Sequence, residues 1–395
     1  MTTTDERIAV PPAGGAERLA RVAWSGIAEP GDVVAGALIA AMGAAEALAW
    51  LREGAPRDDR LGPQASPRLA KAVSRWTLRL DRSAPEAALA AVDRLGGAVL
   101  VPGDPGWPTA VDDLGAEAPA CLWVRGRRDL AGVARDAAAI VGARAATSYG
   151  ERVAYDLAAG IATRGAGVVS GGAYGIDAAA HRGTLGADGV AVVVLAGGVD
   201  RAYPAAHARL FDAVLAGGGA IVSELAPGGL PTRSRFLQRN RLIAAMTRAT
   251  VVVEAAWRSG ALSTAHHAAR LLRPVGAVPG PVTSMASAGC HRLLRDGLAV
   301  CVTDADEVLE LVRPSGAAPA TTPSAARYAE VRTHDGLDAV ASAVLEALPR
   351  RAGHSVDRVA AAAGVTAQEA LGALGHLELS GLAARSGDGW RLAAG

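Results

Sequence analysis

The sequence predicts an α/β protein: an extended Rossmann-like, doubly wound parallel sheet, with a small helical domain before it and a winged helix after it. Short β-branched runs alternate with helical stretches over residues 136–312. The first hundred residues are rich in Ala and Leu at helical spacing, and the end of the chain has three helical segments and a hairpin pattern. Runs that are apolar throughout are typical of strands buried on both faces of a parallel sheet, and strand–helix alternation is typical of right-handed crossovers.

The N-terminal part, residues 1–97, is predicted to be a small helical, SAM-like domain. Amphipathic segments at 35–51 and 84–95 are separated by a polar loop at 53–67. Two short apolar segments, 98–101 and 121–124, then lead into the next domain.

Residues 98–312 are predicted to form the Rossmann-like domain. Its strands are expected at 138–141, 167–170, 190–195, 220–223, 250–254, 275–278 and 299–303. Each is followed within a few residues by Gly, Ser or Thr and then by a helical stretch, which is the order of a βα unit.

Residues 313–335 are rich in Ala, Pro, Ser and Thr without periodicity, and predict a linker. The last domain, 336–395, is predicted to contain helices at 338–348, 356–363 and 367–380 and a terminal hairpin. The last helix begins with the capping box Thr366-Ala-Gln-Glu369. Three helices with a hairpin indicate a winged helix.

The charge is unevenly distributed along the 395 residues. The whole chain has 40 basic and 39 acidic side chains and a net charge of +1, but residues 134–300 hold 17 basic and 10 acidic ones (+7). The flanking parts are acidic. Residues 1–133 hold 15 basic and 17 acidic side chains, and residues 301–395 hold 8 basic and 12 acidic ones. This asymmetry is expected if one face of the middle domain meets a polyanion.

Several classes of function are disfavoured by composition. Lys71 is the only lysine and has no glycine loop before it, so a Walker-type ATPase is not expected. The three cysteines lie far apart, so neither a disulfide framework nor a metal site is predicted. The N-terminus has no signal-peptide pattern, and the longest uncharged, largely apolar run, residues 33–45, is shorter than a membrane span. We therefore expect a cytoplasmic protein without membrane contact, metal or cofactor.

Ligands of open parallel sheets bind outside the carboxyl ends of the strands. Four loops predicted there carry glycine and small polar residues, namely those at 142–150, 170–177, 196–204 and 259–264. Each glycine alone is equally compatible with an ordinary βα turn, whereas four such loops on one sheet edge favour a phosphate-binding surface.

The segment 231–241 is the strongest signal for a nucleic-acid ligand. It holds four arginines and one of the two phenylalanines of the chain, and no acid occurs between Glu224 and Glu254. Arginines that neutralise phosphates and a ring that stacks a base are the components of single-strand binding. The alternative is a solvated helix face with Phe236 in the core.

The motifs of residues 98–312 together resemble the DNA-processing protein A family (DprA, also called Smf). They are Ile140-Val-Gly-Ala-Arg144, Ser170-Gly-Gly-Ala-Tyr-Gly-Ile-Asp177 with His181, Gly197-Gly-Val-Asp200 with Tyr203-Pro204, Ser223-Glu224, Phe236-Leu-Gln-Arg-Asn-Arg241, Val251-Val-Val-Glu254 with Ser259-Gly260 and Thr264-Ala265, Val278-Pro-Gly280 and Gly289-Cys290. The sequence departs from the family pattern at Ala143, at His291 and at residues 272–274.

The resemblance implies a recombination mediator that is not an enzyme. Such a protein protects incoming single-stranded DNA, loads the RecA recombinase during natural transformation and dimerises through the Rossmann-like domain. Arg144 and the Ser170 loop would then hold phosphates, Phe236 would contact a base, and Arg233 would fill a position that is often lysine. The residues expected to bind single-stranded DNA are Gly142, Arg144, Ser170, Gly171, Gly172, Arg233, Arg235, Phe236, Gln238, Arg239, Asn240, Arg241, Ser259, Gly260 and Thr264.

Two other functions stay open at this point. A nucleotide phosphoribohydrolase uses a related sheet, with Glu254 as the candidate base, but its P-G-G-x-G-T-x-x-E segment has no counterpart here. A protein scaffold would use the winged helix as its contact surface. Because the predicted recognition helix contains Glu369 and Glu378 and no Arg or Lys, we expect it not to dock DNA.

Overall fold

The computed structural model describes residues 14–56, 66–81, 83–313, 337–350, 352–387 and 389–393. The chain divides into two compact units, Met1–Ala317 and Ala318–Gly395. The predicted linker lies outside the described residues except for Arg313, which forms an ion pair with Asp136 at 2.6 Å.

Five helices begin the first unit. They are α1 (Gly15–Ile27), α2 (Val33–Met42), α3 (Ala44–Arg52), α4 (Ser66–Leu80) and α5 (Pro85–Arg94). The single helix expected over residues 35–51 was a wrong prediction, because α2 and α3 meet at Gly43 with a bend of 109°. Gly43 has φ +83°, a conformation that glycine adopts without strain. The indoles of Trp24 and Trp76 pack edge to face at 5.2 Å in the core of this bundle.

A nine-stranded sheet forms the centre of the unit. Its strands are β1 (Ala98–Leu100), β2 (Leu122–Gly126), β3 (Ala137–Val141), β4 (Gly167–Ser170), β5 (Ala191–Leu195), β6 (Ala220–Ser223), β7 (Ala249–Val252), β8 (Val275–Ala277) and β9 (Val300–Cys301). The spatial order is β1-β2-β6-β5-β4-β3-β7-β8-β9. Strands β3 to β9 pair in parallel, which confirms the predicted parallel sheet. The two lead-in segments, β1 and β2, add an antiparallel edge that the sequence pattern did not indicate.

Helices cover both faces of this sheet. They are α6 (Leu130–Ala134), α7 (Ser148–Thr163), α8 (Ile176–Gly186), α9 (Ala208–Ala216), α10 (Arg233–Ala245), α11 (Ala261–Arg270), α12 (Ala288–Arg295) and α13 (Ala305–Val312). On one face Ile140 packs with Leu157 and Ile161 of α7, and α8, α9 and α13 lie on the same side. On the other face Val141 packs with Leu242 and Ile243 of α10, next to α11 and α12.

The chain changes direction at β3, which is flanked by β4 and β7. The helix after β3, α7, covers one face, whereas the helix after β7, α11, covers the other. The two loops therefore diverge and leave a crevice at the carboxyl ends of β3 and β7. Such a switch point is where ligands of doubly wound sheets bind.

The second unit contains α14 (Ala339–Ala347), α15 (Val356–Ala363), α16 (Ala367–Leu379) and a hairpin of β10 (Ala383–Ser386) and β11 (Gly389–Leu392). Thr366 and Glu369 form the predicted capping box of α16. Trp390 packs into the core between the three helices and the hairpin.

Over the described ranges no single helix has both the length and the apolar composition of a membrane span. The helices α2 and α3 meet these two criteria only when they are taken together as one bent pair.

Candidate functional site

A cavity of about 650 Å³ occupies the crevice at the switch point. Its walls come from the loop after β3, from α10 and from the loop that joins β7 to α11. Nine of the sequence-predicted residues line it: Gly142, Arg144, Arg233, Phe236, Arg239, Asn240, Ser259, Gly260 and Thr264. The carboxyl ends of β3 and β7, together with helix α10, thus bring together residues that are far apart in the chain.

Helix α10 supplies one side of the cavity. It begins after Thr232, whose hydroxyl accepts a hydrogen bond from the amide of Arg235 at 3.3 Å, an ordinary N-cap. Arg233, Phe236 and Asn240 are spaced by three and four residues and line the cavity on one face of α10.

Phe236 lies among cationic and aromatic side chains. The guanidinium of Arg144 lies 4.6 Å from its ring centroid, and the ring of Tyr203 lies at 5.5 Å. Phe236 is half-buried, so part of its surface remains open in the cavity wall. A cation over one side of the ring is a favourable arrangement, and it places the charge of Arg144 beside an apolar surface.

Three exposed arginines lie around the cavity. Arg144, Arg233 and Arg258 are exposed and line the cavity, and none of them forms an ion pair with another residue that the structure describes. Exposed arginines without carboxylate partners retain their hydrogen-bond donors for a ligand. The cavity is therefore suited to an anionic group.

Arg239 differs from these three because it is buried. It donates hydrogen bonds to the carbonyl oxygens of Gly171, at 2.7 Å, and of Val194. Burial lowers the pKa of Arg239 to about 10, an effect that the nearby carboxylate of Asp177 opposes. Burial raises the pKa of Asp177, against the attraction of Arg239. The guanidinium stays charged at neutral pH and fixes the glycine loop from beneath.

Ser170, Gly171 and Gly172 of the second glycine loop do not line the cavity, whereas Ala173 and Asp177 of the same loop do. The hydroxyl of Ser170 donates to the carbonyl of Ile140 at 2.6 Å, which joins β4 to β3. Gly171 leaves room for Arg239, since a Cβ there would lie 2.5 Å from the guanidinium. Gly172 has φ +69°, and a Cβ there would lie 2.7 Å from Phe211. These glycines leave the space that the guanidinium of Arg239 and the ring of Phe211 occupy.

The remaining predicted residues of α10 face away from the cavity. Arg241 has no exposed side-chain surface and pairs with Glu224 at 2.8 Å. Arg235 pairs with Glu29 of the helical domain. Gln238 packs against Gly31, where an added Cβ would lie 2.6 Å from its Oε1. The structure thus separates the segment into a cavity face and a face that anchors the helix.

Glu254, the candidate base of the enzyme alternative, is buried at the start of α7. Its carboxylate accepts hydrogen bonds from the amide and the hydroxyl of Thr147, at 2.9 and 2.6 Å. A Cβ at Gly150 would collide with the same carboxylate. Glu254 does not line the cavity, and its contacts are those of a group that stabilises a helix N-terminus.

Several residues of the cavity wall lie outside the sequence-predicted set, among them Arg258 and Tyr203. Arg258 directly precedes Ser259 and Tyr203 lies in the third glycine loop, and both line the cavity. The position of Arg258 beside a predicted loop residue was the available signal. His291 is one of the positions at which the sequence departs from the family pattern. Its ring Nε2 lies 3.0 Å from the carbonyl oxygen of Gly280.

Comparison with known proteins agrees with the fold and with the sequence motifs. Residues 98–313 match the family model described as DNA recombination-mediator protein A, and residues 317–389 match that of the DprA winged helix domain. A Mycobacterium tuberculosis protein that carries the name DprA is 44% identical over 386 residues, with 94% of each chain covered. The DNA processing protein DprA of Streptococcus pneumoniae is 37% identical over 193 residues, which is 49% of this chain and 67% of that relative.

A solved structure shows the same likeness in three dimensions. The crystal structure of DNA processing protein A from Streptococcus pneumoniae superimposes with a TM-score of 0.59 and 26% identity, and covers 77% of this chain and 99% of that one. The family model covers the sheet, the cavity and the arginine helix, and the Mycobacterium tuberculosis relative extends over almost the whole chain. By these matches the chain is a member of the DNA recombination-mediator protein A family.

Proposed function

We propose that the protein binds single-stranded DNA in the cavity at the switch point and acts there as a recombination mediator. The observation that carries the proposal is the set of three arginines without ion-pair partners in the described chain, Arg144, Arg233 and Arg258, around a cavity wall that contains Phe236. Arginines that contact phosphates and an aromatic side chain that stacks a base bind single strands with little sequence preference.

The dimensions of the cavity support a single strand. A volume of about 650 Å³ lies within the range of sites for small molecules and has room for one or two nucleotides. A base that enters it must be unpaired, since a paired base is held inside the duplex. We therefore assign the backbone contacts to Arg144 and Arg233 and a base contact to Phe236.

The test is DNA binding across a salt series. The wild type and the double variant Arg144→Ala/Arg233→Ala are titrated against labelled single-stranded and double-stranded DNA by fluorescence anisotropy. We expect the double variant to lose about tenfold or more in single-strand affinity and the salt slope to fall by about 0.7 for each lost phosphate contact. Arg94→Ala, an exposed arginine on α5, is the matched control. A flat salt dependence of the wild type, or equal affinity of the double variant, would rule the proposal out.

The downstream role is the loading of RecA onto the bound strand, as part of the processing of DNA during natural transformation. We propose that the protein does this as a cytoplasmic homodimer through the Rossmann-like unit. The readout is strand exchange by the recombinase on DNA covered with a single-strand-binding protein, with and without the wild type. Sedimentation of the chain without residues 336–395 tests whether the first unit is sufficient to dimerise.

An enzymatic function on a nucleotide is the second candidate, and the surroundings of Glu254 disfavour it. The carboxylate is engaged by Thr147 and buried away from the cavity. Release of free base from a nucleoside monophosphate that disappears in Glu254→Gln would favour the enzyme instead.

A further inference from the structure

We propose that Trp257 and Arg292 form a second contact site for single-stranded DNA, which takes the nucleotides that leave the cavity. The inference rests on the proposed function, because it extends the same binding path. Trp257 lies one residue before Arg258, which is part of the cavity wall. About half of the surface of Trp257 is open to solvent, at 49% exposure.

The exposure of Trp257 sets it apart from the other tryptophans. The other six tryptophans of the chain are buried; they are Trp24, Trp50, Trp76, Trp107, Trp123 and Trp390. An indole is among the side chains with the most apolar surface to bury. A half-open indole at the edge of a basic cavity is therefore available for stacking with a base.

Arg292 gives the ring a cationic partner. Its guanidinium lies 5.2 Å from the ring centroid of Trp257, which is within the range of a cation–π contact. Arg292 also pairs with Asp296 at 3.4 Å, so the guanidinium has one carboxylate neighbour on α12 and remains partly exposed. A base that stacks on the ring brings its phosphate near this guanidinium.

The backbone holds the two parts of the site together. The amide of Ala255 donates to the carbonyl of Ala286 at 2.7 Å, and the amide of Gly289 donates to the carbonyl of Ala255 at 2.7 Å. The turn that carries Trp257 is thus joined directly to the start of α12, which carries Arg292. This attachment makes the site a fixed extension of the cavity wall.

The local charge and surface favour a nucleic acid as the occupant. No acidic residue occurs between Glu254 and Asp296, a stretch that contains five arginines. Val282 and Met285 are strongly exposed on the segment joined to Ala255. Of these five arginines, Arg258 forms no ion pair with another described residue, and Arg292 is partly exposed beside Asp296. Apolar surface beside such arginines is the composition of a stacking platform for single strands. The continuity of Trp257 with Arg258 gives the direction in which the strand leaves the cavity.

The exposed indole also provides the readout. With six buried tryptophans, quenching of the intrinsic fluorescence by DNA reports on Trp257. We expect an oligothymidylate of about 12 nucleotides to quench the emission and one of about 3 nucleotides, held in the cavity alone, to quench it little. Trp257→Ala should bind the longer oligonucleotide about 5–30-fold more weakly and the short one as the wild type does. Trp257→Phe should restore most of the loss, and Arg292→Ala should lower the salt slope without removing the quenching.

Failure of this inference and failure of the proposed function give different results. If Trp257→Ala binds both lengths like the wild type and no quenching occurs, the second site is wrong while the cavity stands. If neither length binds the wild type, the proposed function itself fails. If Trp257→Ala leaves DNA binding unchanged and shifts the oligomeric state in sedimentation, the surface is a contact between copies, and the DNA assignment is overturned. Tyr155→Ala, an exposed aromatic side chain of α7, is the matched control.

Discussion

The carboxylate of Glu29 holds the guanidinium of Arg235 through two parallel hydrogen bonds, Nε to Oε2 and Nη2 to Oε1, both of 2.9 Å. This pair connects the N-terminal helices to α10. Arg235 is part of the basic segment that suggests DNA binding in the sequence, yet its donors are engaged on the side of the helix opposite to the cavity. Its charge is thereby used to fix the helix that carries Arg233 and Phe236.

Arg235→Ala should therefore lower stability and leave single-strand affinity within about threefold of the wild type. A bidentate pair of this kind, partly exposed, contributes about 1 kcal/mol. Urea unfolding and anisotropy titrations of Arg235→Ala, Glu29→Gln and the double variant measure both effects. Glu29 also pairs with Arg79, so the double variant should be about as stable as Glu29→Gln. A loss of affinity as large as that of Arg233→Ala would assign Arg235 to the DNA path.

The difference between Arg233 and Arg235 shows how far the sequence could predict the site. Composition identifies the segment 231–241, but the rotation of α10 about its axis decides which arginine faces the cavity. That rotation depends on the pairs of Arg235 with Glu29 and of Arg241 with Glu224, and Glu29 lies in a distant part of the chain. The parallel strands were predictable because their apolar runs are continuous, whereas the bend at Gly43 depends on a single glycine conformation.

Gly171→Ala should destabilise the fold by about 1–3 kcal/mol, because the new methyl group has to displace the buried guanidinium of Arg239. The displaced guanidinium loses its hydrogen bond to Gly171, so single-strand affinity should fall as well. Gly372→Ala is the control: an added Cβ there meets no neighbour within 4 Å, and alanine in a helix is more stable than glycine by about 0.5–1 kcal/mol. Thermal unfolding of both variants gives the comparison, and equal melting temperatures would contradict the role of Gly171.

Because His181 is buried, we expect the folded protein to lose stability in acid. Both of its ring nitrogens are buried without a hydrogen-bond partner among the described residues. Burial, with repulsion from His207 and Arg239, lowers its pKa from 6.5 to about 3. Between these two values the unfolded chain binds a proton that the folded chain does not. Stability should therefore fall as the pH decreases through this window, by up to about 1.4 kcal/mol per pH unit from this group. His181→Leu should flatten that dependence in urea titrations between pH 6.5 and 4, while His376→Leu, exposed on α16, should not.

Arg241→Ala should be the most destabilising change on α10. The guanidinium has no exposed surface, pairs with Glu224 at 2.8 Å and donates to the carbonyl of Glu117 at 2.9 Å. Its removal leaves the carboxylate of Glu224 without its partner, which costs about 3–5 kcal/mol for a buried pair. Chemical denaturation measures the decrease in the free energy of unfolding, and the double variant Arg241→Met/Glu224→Gln should recover part of that decrease. A stable Arg241→Ala protein with weakened DNA binding would instead place Arg241 in direct contact with the ligand.

Deletion of residues 336–395 should leave single-strand affinity nearly unchanged. These residues lie in a compact unit of their own, and its three-helix core with Trp390 is closed among its own residues. Helix α16, which would enter a groove in a DNA-binding winged helix, carries Glu369 and Glu378 and no Arg or Lys. Acidic side chains on that helix oppose a phosphate backbone, so we expect the unit to contact a protein partner. Anisotropy titrations of the truncated and full chains, at the same salt concentration, compare the two. A loss of about tenfold or more on truncation would show that the winged helix takes part in DNA binding, because counterion release from additional phosphate contacts produces changes of that size.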